Sequence, residues 1–120
     1  MQDDAESFGV ELNSQEIQLL QAGLAEWGGP AHMTADLAVA LGFQGVDDFH
    51  AEARRISATI GRSLPMRPAD WKRALLATEI AFASDVFGSG VEWSTTVGIS
   101  DETTIRLLRQ LQRKLVSATG

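Results

Sequence analysis

The chain has 120 residues, a formal charge of −6, 44% hydrophobic and 22% charged residues, and no cysteine. That composition suits one globular domain able to bury a core, and it excludes a disordered chain, disulfides, thiolate metal sites and cysteine nucleophiles. The opening MQDDAESFGV has no basic or apolar signal segment, and no apolar run approaches the ~20 residues that cross a bilayer. The expectation is therefore a cytoplasmic protein with no membrane contact.

Residues 1–11 are polar and acidic and lack periodicity, which predicts a flexible tail ahead of a single helical domain over 12–117. Asn13 can cap a first helix, with Glu16 at capping-box spacing. Ile17, Leu19, Leu20 and Leu24 supply its apolar face, and Gly28-Gly29-Pro30 ends it. Thr34 can cap a short second helix carrying Leu37, Val39, Ala40 and Leu41. Gly42 stops it and Phe43 packs back. A third helix opens near Val46 and Asp47, with Asp47 and Asp48 at the positive end of its dipole and Phe49, Ala53, Ile56 and Ile60 as its stripe.

Pro65 and Pro68 bracket a linker, and Pro68 suits the first turn of a fourth helix. The run over 71–87 is the most apolar in the chain, so residues 69–87 are expected to form a buried central helix. Gly88-Ser89-Gly90 breaks it. A weak, β-branched fifth helix follows over 91–97. Ser100 then caps a last helix, with Ile105, Leu108, Leu111 and Leu115 as its stripe. The fold class is all-α, a bundle of five or six helices. The halves match in outline: Gly42-Phe43 and Gly98-Ile99 stand 56 residues apart, each followed by an acidic helix start. This suggests two similar three-helix units.

The stretch VEWSTTVGISDETTIRLLRQL has the outline of a helix-turn-helix, whose second helix would enter a DNA groove by its N-terminal end. That end carries Asp101 and Glu102, which phosphates repel. Counted from Gly98, Ile105 also falls one step late for the usual apolar position, where Thr104 sits. Arg106, Arg109 and Arg113 do share a face, and this stripe could meet phosphates, an acidic protein or the chain's own acidic tail. The charge is polarised: residues 1–60 balance to −8 and residues 61–120 to +2.

Catalytic patterns are sparse. His32 and His50 are too few for a zinc site. Asp47, Asp48, His50 and Glu52 do not share one helical face, so neither a metal nor any other cofactor is expected. Glu79 falls within the apolar arc of the fourth helix, as a buried polar anchor that must find a partner. Trp71, Phe82, Phe49 and Phe43 read as core; Trp27 and Trp93, at helix ends beside glycines, read as lids over it.

These readings point to a non-enzymatic protein-binding module, a small regulator or inhibitor of antitoxin or adaptor type. It would meet a basic protein partner through Glu26, Asp36, Asp47, Asp48 and Glu52. A homodimer is compatible with this. One alternative is a helix-turn-helix DNA-binding regulator using Arg106, Arg109 and Arg113. A second is a small-molecule-binding bundle anchored by Glu79.

Overall fold

A computed structural model describes residues 6–119. It contains six α-helices: α1 (Ser14–Ala25), α2 (Ala35–Ala40), α3 (Val46–Gly61), α4 (Pro68–Ala83), α5 (Trp93–Val97) and α6 (Asp101–Thr119). Single 3₁₀ turns follow α1 at Glu26–Gly28 and precede α5 at Gly90–Glu92. The protein is an all-α bundle, and no helix among the described residues is long and apolar enough to cross a membrane. The order long, short, long occurs twice, and Gly42 (φ 98°) and Gly98 (φ 81°) follow the two short helices in the left-handed conformation that glycine alone adopts without penalty.

Local chemistry sets most helix starts. Asn13 and Glu16 form the full capping box of α1, and the Thr34 hydroxyl accepts from the Leu37 amide. Ser100 accepts from the Thr103 amide, and Pro68 opens α4. Asp48 reaches back to accept from the Gln44 amide at 2.9 Å.

Packing centres on a pair, α1 and α4, not on α4 alone. The core face of α4 is built from small residues, Ala74, Ala77, Thr78 and Ala81, all fully buried. Gly23 of α1 lies directly against Thr78, so the two backbones approach closely. Trp71 is buried near the start of the helix, but Leu75, Ile80 and Phe82 stand at the flanks and Leu76 is 43% exposed. The helix also stops at Ala83, four residues before its expected end at 87. Ser84 turns to extended geometry, and its hydroxyl accepts from the Val86 and Phe87 amides in place of helical carbonyls.

Three further expectations change. Phe8 pairs backbone to backbone with Met66, and its carbonyl accepts from the Trp71 indole at 3.1 Å. The segment 6–11 is therefore docked where a loose tail was expected; residues 1–5 lie outside the described residues. Trp27 and Trp93 are 3% and 0% exposed, so they are core residues and not lids. The inward face of α6 runs through Thr104, Leu107, Leu108, Leu111 and Leu115, while Ile105 is 49% exposed. Thr104 points inward because its hydroxyl accepts from the buried Trp93 indole at 2.9 Å.

A charged corner joins α3 to α4. Asp70, 2% exposed, lies 3.0 Å from Arg55, 3.4 Å from Arg73 and 3.8 Å from Arg67. Arg55 also pairs with Glu52 at 2.6 Å, and Arg73 stands 5.0 Å over the Phe43 ring. The Arg55 hydrogen bonds hold the Glu52 carboxyl below its ordinary range, against an opposing effect of burial. A carboxyl held low stabilises the fold above its unfolded pKa and loses that contribution as pH falls through the folded value. Arg55 is 43% exposed, which limits the effect. Glu52→Gln is therefore expected to cost about 0.2–1 kcal/mol at pH 7 and nothing well below pH 4. Denaturant midpoints of both proteins at the two pH values measure this.

Candidate functional site

The acidic residues expected to form one partner face do not act together. Glu26 is buried, and its carboxylate accepts from the Ser89 and Thr96 hydroxyls at 2.5 and 2.7 Å. Asp48 caps the backbone at Gln44 and Glu52 is engaged by Arg55, which leaves Asp36 and Asp47 as the exposed members. Glu79 sits half-buried in the α4–α6 seam and accepts from the half-buried Gln112 amide at 2.7 Å. The apolar run of α4 suggested deeper burial, but the alanine side of the helix faces the core.

Arg106, Arg109 and Arg113 are all exposed, and no carboxylate among the described residues pairs with them. Asp101 and Glu102 stand exposed at the start of the same helix. His50 meets Phe49 edge to face, and no group of three or more metal-binding side chains lies together among the described residues.

The unusual surface is the loop over 84–92, most of whose backbone amides are hydrogen-bonded within the chain. Ser84 accepts from two loop amides, Asp85 accepts from the Val91 amide at 2.9 Å, and the Ser89 amide donates to Ala81 at 2.7 Å. The His32 amide donates to the Phe87 carbonyl at 2.7 Å. Glu26 anchors the loop from below through Ser89 and links it to α5 through Thr96. Gly88 has no room for a side chain, since a Cβ would press on the α4 backbone at Ile80 and Ala81.

With most of its backbone amides used internally, the loop shows apolar side chains to water. Val86 is 77% exposed, Val91 79% and Phe87 37%. Single exposed apolar residues are ordinary, but three on one tied loop are not. Asp85 and Glu92, both exposed, rim them. The sequence signal was present in Asp-Val-Phe-Gly-Ser-Gly-Val-Glu, but the apolar pair was read as a continuation of α4. No protein-family model, curated protein or solved structure matches this chain.

Proposed function

We propose that this protein is a non-enzymatic protein-binding module, a small regulator or inhibitor of adaptor or antitoxin type, acting through the loop over 84–92. The observation that carries this is the exposure of Val86, Phe87 and Val91 on a loop whose backbone is already hydrogen-bonded. A pre-ordered loop loses little entropy on docking, and aromatic residues such as Phe87 are enriched at protein interfaces. Asp85 and Glu92 make the fitting partner a protein pocket with an apolar floor and a basic rim.

A photo-activated crosslinker at Val91, introduced in cells, tests the reading. The expected result is a discrete protein adduct that is lost when Phe87→Asp is added. Adducts no more abundant than those from a crosslinker at exposed Ser117 would overturn it.

The arginine stripe supports a second reading, contact with nucleic acid, because its guanidiniums are open. Asp101, Glu102 and the net charge of −6 oppose it. Anisotropy of a labelled mixed-sequence duplex is expected to stay flat when titrated at low salt, where phosphate contacts are strongest. Binding that fades as salt is added would favour the DNA reading.

A further inference from the structure

One surface of this molecule has the chemistry that the loop requires. A groove of about 400 Å³ runs between α1 and α3, lined by Leu24, Ala25, Gly28, Ala53 and Ala58, with His50, Arg54 and Ser57 along its polar side. Small side chains make the floor apolar and shallow. Arg54 is exposed and pairs with no carboxylate among the described residues. The loop offers the converse set: apolar Val86, Phe87 and Val91 beside an exposed Glu92 whose side chain accepts no hydrogen bond among the described residues.

Loop and groove also have a neighbour in common. Both adjoin the turn Glu26–Gly28: Ser89 of the loop donates to Glu26, and Gly28 lines the groove. When a projection and a complementary recess flank one turn, a single twofold axis can serve both. Each copy inserts its projection into the other's recess, and the contact is made twice.

We infer that the protein self-associates as a twofold dimer in which the loop over 84–92 of each copy enters the α1–α3 groove of the other. This rests on the loop being a protein-binding element, and it names a second copy of the chain as an occupant of that element. Glu92 then faces Arg54 across each contact. Opposite charges at a rim fix register and suppress wrong pairings.

Charge exchange tests the geometry. Arg54→Glu and Glu92→Arg both change exposed side chains, so each variant is expected to keep the wild-type circular dichroism and melting. Either substitution places like charges in both contacts. At about tenfold for each contact, dimerisation should weaken about a hundredfold. In a one-to-one mixture of the two variants, the mixed dimer pairs the new arginine with the new glutamate at one contact and the native pair at the other. Sedimentation velocity should therefore show dimeric wild type, two monomeric variants and a dimeric mixture.

Wild type that stays monomeric into the high-micromolar range overturns the inference. So do variants that remain dimeric, and a mixture that does not recover. The Val91 crosslinker separates this failure from that of the wider reading. Monomeric wild type that still gives a heterologous adduct from Val91 removes the dimer alone. Monomeric wild type with no specific adduct removes both.

Discussion

Replacing Trp93 with alanine is expected to destabilise the fold by about 3–5 kcal/mol, the range for removing a large buried aromatic. Trp93 has no exposed surface, meets Phe82 edge to face at 5.6 Å, and donates its indole hydrogen to Thr104 at 2.9 Å. The ring thus joins the short helix α5 to both α4 and α6. At five residues, α5 is too short to persist without such packing. Its loss should release Thr96 from Glu26, and with it one support of the loop over 84–92. Trp93→Phe keeps an aromatic ring but removes the indole donor and part of the ring's volume. Thr104 retains its own donation to the Ser100 carbonyl, so this variant should lose less, about 1–3 kcal/mol. Urea unfolding of the two variants shows what the remaining ring contributes; equal losses would show that this aromatic contact contributes little.

Gly23→Ala is expected to destabilise the protein by about 1–3 kcal/mol although alanine is the better helix former. A Cβ at this position would lie within 2.7 Å of three Thr78 side-chain atoms. Thr78 cannot swing away easily, because it is fully buried and its hydroxyl donates to the Ala74 carbonyl at 2.9 Å. Instead α1 and α4 must separate, which loosens the alanine seam along its length. Thr78→Gly removes all three obstructing atoms. Added to Gly23→Ala, it should recover part of the loss, offset by the roughly 1 kcal/mol cost of glycine inside a helix. A double-mutant cycle in thermal unfolding reads this coupling directly. Strict additivity would mean that the two residues do not define the helix spacing.

The helix starts were legible in the sequence because caps act over three or four residues. Asn13 with Glu16, Thr34, Pro68 and Ser100 all mark the starts they suggested. Interactions between distant residues were not legible. Glu26 resembled a surface acid because Ser89 and Thr96, its partners, lie 63 and 70 positions away. Glu16 resembled a cap alone, yet it also receives Lys114 at 2.6 Å. Trp71 was placed in the core correctly, but Leu76 and Val86 were not, because large apolar residues were taken to mark the core side whereas close helix contact favours small ones. Asp70 was the most accessible of the missed residues, since Arg67 and Arg73 stand three positions to either side of it.

Lys114 joins parts of the chain that are synthesised far apart in time. Its ammonium donates to the Glu11 carbonyl and the Glu16 carboxylate, 103 and 98 residues earlier. On a ribosome, α1 through α5 emerge while the surface that α6 will cover remains open to water. The chain then passes through a stage with an uncovered apolar face and an acid, Glu16, lacking its cation. Loop closure of that length is slow, and exposed apolar faces at such a stage invite association with other chains. Truncation within α6 would make that stage permanent, so early termination in the last helix should yield aggregates instead of a smaller folded domain.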